Sequence, residues 1–112
     1  MQIFFRTKQL AKICNTESVA IKKIGKESAS KLKIRLAQIH AADNLDLLIQ
    51  FPMPGRCHKL KADRKNQYAM DLKHPLRLIF VPTNGEQGWN ENDIIIENKV
   101  DVITVIDIKD YH

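Results

Sequence analysis

Three titratable side chains stand together at the end of the sequence: the carboxylate of Asp110, the phenol of Tyr111 and the imidazole of His112. They follow the apolar run VITVIDI, which is typical of a β-strand. Because side chains alternate along a strand, Asp110 and His112 are predicted to share one side with three apolar residues: Val102, Ile106 and Ile108. Two polar groups are therefore expected at the rim of a buried face.

A second group of polar residues lies in the segment GRCHKLKADRKNQY and on the strand that follows it. Its members are one imidazole and four cations: His58, Lys61, Arg64, Lys65 and Arg77. Strict alternation places Lys61 on the opposite side of a strand from Leu60 and His58. Both His58 and Lys61 reach one cleft only if the chain twists or leaves the sheet near Lys61.

These residue types fit the cleavage of RNA without a metal ion. That reaction needs a base for the 2′-hydroxyl proton, an acid for the departing 5′-oxygen, and cations for the charge that grows on the phosphate. Histidine suits the proton transfers because its ordinary pKa, about 6.5, lies near neutral pH. The alternative interpretation is that these residues form a solvated sheet edge.

Each residue has an expected role in such a reaction. Asp110 can act as a base or orient His112, and the chain-terminal carboxylate should favour the protonated imidazole of His112, which makes it the better acid. Tyr111 can stack on a base or hold the phosphate. Lys61 and Arg77 can stabilise the negative charge.

The size and charge of the chain limit its class. At 112 residues and 12.9 kDa it is expected to form a single domain over 1–112. Its net charge of +5 favours an anionic partner, and the basic residues concentrate in 1–42. The segment 82–98 is predicted to be a long acidic connection with four carboxylates: Glu86, Glu91, Asp93 and Glu97. The basic part is interpreted either as a solvated surface or as a face for nucleic acid.

Little in the sequence indicates a membrane, a metal or a cofactor. The opening residues contain no secretory apolar region and no membrane span, so the protein is expected in the cytoplasm. The two cysteines, Cys14 and Cys57, have no metal-type spacing, and we interpret both as reduced and structural.

The first part of the chain is predicted to be mainly helical. Residues 3–5 are expected to form a short strand, after which Thr7 caps a helix to about Asn15. Thr16 or Ser18 then caps a longer helix to about Ala42, with one defect in its apolar stripe near Gly25. The exposed side of this helical pair carries three lysines: Lys22, Lys26 and Lys33.

The second part of the chain is predicted to be mainly strands. Residues 45–51 form a short apolar turn, followed by strands at about 56–61, 67–72, 76–81 and 100–108, the last of them inside the sheet. We therefore expect an α+β domain in which an N-terminal strand and a two-helix hairpin pack on a curved antiparallel sheet of about four to five strands.

The segment GRCHKLKADRKNQYAMDL, followed by LRLIF and a terminal DYH, resembles the RelE/ParE superfamily, specifically the HigB-like toxins of bacterial toxin–antitoxin modules. The chain departs from the pattern of that family at a few positions. Ala62 and Asn66 stand where the toxins usually carry glycine, Leu76 replaces an aromatic residue before Arg77, and the connection at 82–98 is longer.

The resemblance implies a ribosome-dependent mRNA endonuclease of the mRNA interferase type, without metal or other cofactor. It implies catalytic roles for His58, Asp110, Tyr111 and His112, and basic support from Lys61, Arg64, Lys65 and Arg77. The helical lysines would contact ribosomal RNA. The implied partners are a helix-turn-helix antitoxin, the ribosome and mRNA, with no membrane.

Two other functions remain open at this point. The same fold serves ParE-type toxins, which inhibit gyrase by binding and need no acid–base pair. A catalytically decayed toxin, retained for antitoxin binding and regulation, is the third reading. The imidazoles at positions 58 and 112 favour the nuclease, because binding alone does not require them.

Overall fold

The structure, a computed structural model, describes residues 1–52, 55–61, 66–84, 87–88 and 94–110. Within these residues the chain has four α-helices: α1 (Lys8–Asn15), α2 (Glu17–Ile24), α3 (Lys26–Ala41) and α4 (Leu45–Gln50). Its strands are β1 (Gln2–Phe5), β2 (His58–Lys59), β3 (Tyr68–Asp71), β4 (Leu76–Asn84), β5 (Gln87–Gly88) and β6 (Val102–Asp110). The predicted α+β class is confirmed. None of the helices in this part of the chain is long and apolar enough to cross a membrane.

The first helices begin at the predicted caps, but the second one is interrupted. Thr7 caps α1 because its Oγ1 accepts a hydrogen bond from the backbone N–H of Leu10 at 3.1 Å. Thr16 holds the cap position of α2 without a side-chain capping bond. The single long helix to about Ala42 is wrong: Gly25, with a φ of 85°, separates α2 from α3. The predicted two-helix hairpin is therefore three helices.

The apolar turn predicted at 45–51 is instead the helix α4. Asn44 begins it, because its Oδ1 accepts a hydrogen bond from the N–H of Leu47 at 2.9 Å. Leu45 and Leu48 are buried. An Asn cap followed by apolar residues three apart is a helix signal. A helix of six residues fits between Asn44 and Pro52.

The strands form one mixed sheet in the order β1-β6-β4-β3-β2, with β5 paired to β4 beside this path. The β2–β3, β3–β4 and β4–β6 pairs are antiparallel, whereas β1 runs parallel to β6. The expectation of an antiparallel sheet is wrong for β1, because the long connection from β1 to β6 permits parallel pairing. The final strand does lie inside the sheet, as predicted.

A β-bulge in β6 shifts the alternation of its side chains. Ile79 pairs with Asp107, whereas the next residue on β4 pairs with Val105, so one residue of β6, Ile106, is extra. Side chains on the two sides of Ile106 therefore cannot be assigned to faces by simple alternation along β6.

The bulge overturns part of the predicted grouping of Asp110. Asp110 pairs with Leu76, and Ile108 pairs with Leu78, so Asp110 and Ile108 lie on the same face. Val102 pairs with Gln2 on the other side of the bulge and occupies the opposite face. The predicted grouping of Asp110 with Val102 is therefore wrong.

The helices pack on one face of the sheet. The buried core combines helical residues with alternate strand residues, including Leu32, Leu36, Ile39, Tyr68, Met70, Leu78, Phe80, Ile103 and Val105. The opposite face, which we call the His58 face, carries the residues between them: His58, Ala69, Asp71, Arg77, Ile79, Asp107 and Lys109. Asp110 belongs to the helix side.

The predicted acidic connection at 82–98 is only partly described. β4 continues into it to Asn84, β5 follows, and a short 3-10 helix occupies Glu97–Lys99. Glu97 accepts a hydrogen bond from the hydroxyl of the buried Tyr68 at 2.7 Å, so this carboxylate ties the connection to the sheet. Glu86, Glu91 and Asp93 lie outside the described residues.

Candidate functional site

A row of four residues crosses the His58 face from one strand to the next. His58 pairs with Ala69, Ala69 pairs with Ile79, and Ile79 pairs with Asp107. Directly paired residues of neighbouring strands project to the same side of a sheet. The imidazole of His58 and the carboxylate of Asp107 therefore mark the two ends of a row whose centre, Ala69 and Ile79, is fully buried.

His58 is partly buried at the edge strand β2, and one ring nitrogen has a fixed partner. Its Nδ1 lies 3.2 Å from the carbonyl oxygen of Arg56. A carbonyl oxygen only accepts hydrogen bonds, so in the neutral ring Nδ1 carries the proton and Nε2 carries the lone pair. This arrangement leaves Nε2 as the proton acceptor.

Arg77 and Lys109 provide positive charge on the same face. Arg77 lies on β4 between its direct partners Asp71 on β3 and Lys109 on β6. Its Nε lies 3.1 Å from Oδ1 of Asp71, and Lys109 Nζ lies 3.9 Å from Oδ2 of Asp107. The side chains of Arg77 and Lys109 are 33% and 45% exposed, so an anion can reach both.

A buried arginine supports the end of β3 from the helix side. Arg35, on α3, donates from Nε to the backbone carbonyl oxygen of Asp71 at 2.7 Å. Burial lowers the pKa of Arg35, and the charge of Asp71 partly opposes this effect. The guanidinium also lies against Gly55, where a Cβ atom would overlap it. Arg35 therefore fixes both the Gly55 turn and the residue that pairs with Arg77.

The sequence analysis missed Arg35, Asp71, Asp107 and Lys109. A signal existed for Arg35, because it lies three residues after Leu32 and interrupts the buried stripe of α3. The others have no comparable signal, since their position on the His58 face depends on the strand register.

The cysteines and Tyr68 belong to the core rather than to a reactive site. Both cysteines are free, as predicted. Burial raises the pKa of Cys14 to about 12. Burial, reinforced by the charge of Glu97, raises the pKa of Cys57 to about 12. Burial and the hydrogen bond to Glu97 also raise the pKa of Tyr68, so all three groups are neutral at pH 7.

The predicted catalytic residues are not all brought together. Asp110 is exposed on the helix side of β6, whereas His58 lies on the other face, with β3 and β4 between their strands. Lys61 is exposed and lies just after β2. The pairing of β2 with β3 extends one step beyond the strand, because the backbone N–H of Leu60 donates a hydrogen bond to the carbonyl oxygen of Gln67 at 2.9 Å. Four predicted residues lie outside the described part of the chain: Arg64, Lys65, Tyr111 and His112. Among the described residues, no three His, Cys, Asp or Glu side chains are grouped as metal ligands would be.

The predicted basic helical face is exposed. Lys22 and Lys23 lie in the last turn of α2, Lys26 begins α3, and Lys33 follows two turns later. Cationic side chains near the C-terminus of α2 interact favourably with its dipole. Lys22 and Lys23 therefore stabilise the end of α2, and all four lysines are accessible to a partner.

An apolar groove lies between α3 and α4, on the outer side of the helices. It has a volume of about 530 Å³, and its rim carries Ile34, Leu47 and Phe51, each about half exposed. The carboxamide of Gln38 is buried in its wall without a hydrogen-bond partner among the described residues. A pocket of this size and composition suits a protein or small-molecule contact.

Comparison with known proteins gives no assignment. No family model matches the chain, and no curated protein matches it at a significant level of similarity.

Proposed function

We propose that this chain is a RelE/ParE-like toxin, of the HigB type, that cleaves mRNA on the ribosome by metal-independent acid–base chemistry. The observation that supports the proposal most is the shared face of His58 and Arg77. An imidazole transfers protons near neutral pH, and a guanidinium stabilises a phosphate through paired hydrogen bonds. An imidazole and a guanidinium on one surface can act on the same strand of RNA.

The spacing of these two residues suits an extended strand of RNA. Only β3 lies between β2 and β4, so His58 and Arg77 are two strand spacings apart, about 10 Å across the sheet. Both side chains rise from the same face, and Arg77 lies beside the partly exposed Asp71 at the end of β3. Asp71 on β3 holds the Nε edge of Arg77, which leaves its terminal nitrogens for a phosphate.

In the proposed reaction, Nε2 of His58 accepts the proton of the 2′-hydroxyl. The 2′-oxygen then attacks the adjacent phosphorus, and the bond from phosphorus to the 5′-oxygen breaks. The products are a 2′,3′-cyclic phosphate and a 5′-hydroxyl, whose proton comes from an acid. The resemblance assigns that role to the terminal group, and we propose His112 as the acid and Tyr111 as a phosphate or base contact. Asp110 lies on the other face and takes no direct part in the proposed proton transfers.

The turn between β2 and β3 supports the resemblance at one position. Asn66 has a φ of 61°, in the left-handed region that glycine and asparagine tolerate best. The resembling toxins usually carry glycine there, so Asn66 meets the same backbone requirement. We propose that Lys61, Arg64 and Lys65, which precede Asn66 in the sequence, bind the RNA backbone.

The proposed partners follow from the proposed activity. A helix-turn-helix antitoxin would neutralise the toxin in the cytoplasm, and ribosomal RNA would bind the exposed lysines of α2 and α3: Lys22, Lys26 and Lys33. Such contacts with phosphates weaken steeply as salt concentration rises.

A second candidate function is ParE-type inhibition of gyrase. One observation favours it: His58 and Asp110 lie on opposite faces, and a toxin that only binds has no use for an acid–base pair. The apolar groove between α3 and α4 would then be a contact surface for protein.

Induction in a bacterium separates the two candidates. Wild type, His58→Ala and the control His40→Ala, an exposed histidine on α3, are expressed, and mRNA 5′ ends on ribosomes are mapped. We expect codon-phased cleavage from wild type and His40→Ala and none from His58→Ala. Growth arrest with intact mRNA and altered DNA supercoiling would overturn the nuclease proposal in favour of gyrase inhibition.

A further inference from the structure

Two cations face each other directly across β4 and β6. Arg77 and Lys109 are paired in the strand register, so their side chains rise from the same face with Cβ atoms about 5 Å apart. The bulge at Ile106 does not disturb this pair, because regular pairing resumes at Asp107. Like charges placed directly opposite one another destabilise a sheet, so this pair needs a compensating partner.

Each of the two cations has one carboxylate partner, Asp71 on β3 for Arg77 and Asp107 on β6 for Lys109. Asp71 lies 3.1 Å from Nε of Arg77, and Asp107 lies 3.9 Å from Nζ of Lys109. The backbone N–H of Ile108 donates to Oδ1 of Asp107 at 2.8 Å and fixes that carboxylate. Across the strands the order is Asp71, Arg77 and Lys109, so the two cations are direct neighbours on adjacent strands.

We propose that Arg77 and Lys109 together bind one phosphate group of single-stranded RNA. The inference rests on the proposed function for the identity of the anion. The guanidinium offers its terminal N–H groups for a bidentate contact, and the ammonium adds a point charge from the neighbouring strand. The two side chains are 33% and 45% exposed, so a phosphate can contact both of them.

The position of Lys109 assigns it to binding rather than to the chemical step. β6 is the third strand from β2, so Lys109 and His58 are about 14 Å apart across the sheet, with a further offset along the strands. A lysine at that distance cannot touch the phosphorus that is attacked beside His58. Arg77 and Lys109 therefore hold a phosphate that flanks the one attacked beside His58.

The test compares Lys109→Gln, Lys109→Arg and the control Lys59→Gln, which removes an exposed lysine on the other side of β2. The probe is a single-stranded oligonucleotide with 2′-deoxy positions, which binds without being cleaved, titrated at several salt concentrations. We expect Lys109→Gln to weaken binding about tenfold and to reduce the slope of log affinity against log salt by about 0.7. Lys109→Arg should keep the affinity of the wild type, and Lys59→Gln should stay within about twofold.

Two further readouts decide the inference. The melting temperature of Lys109→Gln should stay close to that of the wild type, because the like-charge contact with Arg77 and the ion pair with Asp107 are lost together. In a cleavage assay, KM should rise while kcat stays constant. Equal weakening by Lys59→Gln and Lys109→Gln, or unchanged affinity in Lys109→Gln, would overturn the phosphate site. If the site binds the oligonucleotide but wild type cleaves no mRNA, the inference stands and the proposed function fails.

Discussion

His58 on β2 and Asp110 on β6 lie on opposite faces of the sheet, with β3 and β4 between them. Three strand spacings separate them by about 14 Å across the sheet. Residues so placed cannot exchange a proton directly or through one water molecule. If the chain cleaves RNA, the imidazole acts without this carboxylate.

The separation predicts unequal effects of substituting the two residues. His58→Ala should lower the rate of mRNA cleavage on programmed ribosomes by at least about 100-fold, because it removes a proton-transfer group. Asp110→Asn should lower it by less than about tenfold, since its role is indirect. Similar losses in both variants would show that the two residues act in one site.

Substitution of two glycines should separate backbone strain from steric overlap. Gly25 and Gly55 have φ values of 85° and 74°, but a Cβ at Gly25 meets open space, whereas one at Gly55 overlaps the guanidinium of Arg35. Gly25→Ala should lower the free energy of unfolding by about 1–3 kcal/mol from backbone strain alone, because its φ of 85° and ψ of 161° lie in a region that essentially only glycine adopts. Gly55→Ala should cost about 2 kcal/mol more, because Arg35 must leave its hydrogen bond. Urea unfolding measures both, and equal losses would contradict the packing of Arg35 on Gly55.

Arg35 itself should contribute to stability although it is charged. Arg35→Met keeps the length of the side chain but leaves the carbonyl of Asp71 without this donor, which should lower the free energy of unfolding by about 2 kcal/mol. The control Lys33→Met, on the exposed side of α3, should change it by less than about 0.5 kcal/mol. Chemical denaturation of both variants measures the difference. An Arg35→Met variant as stable as Lys33→Met would show that the bond contributes nothing.

Buried thiols should make the fold sensitive to alkaline pH. Burial, with the charge of Glu97, raises the pKa of Cys57 from its usual value of 9.0 to about 12. Between these pH values the unfolded chain releases this proton and the folded chain keeps it. The free energy of unfolding is therefore unaffected by this thiol below pH 9 and falls as the pH rises from 9 to about 12. Each such thiol should lower the free energy of unfolding by about 1.4 kcal/mol per pH unit in this range.

Cys57→Ala isolates this contribution. Its unfolding free energy should fall less steeply with pH between 9 and 12 than that of the wild type, by the slope of one proton. Cys14 and Tyr68 stay in both proteins, so their contribution to the pH dependence cancels. If the unfolding free energies of wild type and Cys57→Ala changed in parallel with pH, the Cys57 thiol would have the same pKa in the folded and the unfolded chain.

Local signals in the sequence predict much of the fold. The Thr7 cap, the apolar stripe of α3 and the apolar runs of β3, β4 and β6 each depend on neighbours within a few residues, and the structure has all of these elements. The defect near Gly25 was visible as well, but a periodic pattern does not show whether a glycine interrupts a helix or is tolerated within it.

Long-range features of the fold could not be read from the sequence. The parallel pairing of β1 with β6 and the bulge at Ile106 are set by tertiary packing, and neither leaves a mark in local composition. The bulge decides which face Asp110 occupies, so period-two counting could not find that Lys109 and Asp107, rather than Asp110, share the face of His58. The structure places His58 and Arg77 on one face and Asp110 on the other, and the catalytic roles of these residues stay a prediction.

The products of cleavage test the central claim most directly. Purified wild-type protein is added to ribosomes programmed with an mRNA that has either a ribose or a 2′-deoxyribose at the cleaved position. Proton transfer by His58 to start an internal attack predicts a 2′,3′-cyclic phosphate and a 5′-hydroxyl from the ribose substrate, and no cleavage of the 2′-deoxy substrate. Cleavage of the 2′-deoxy substrate, or products with a 5′-phosphate, would contradict it.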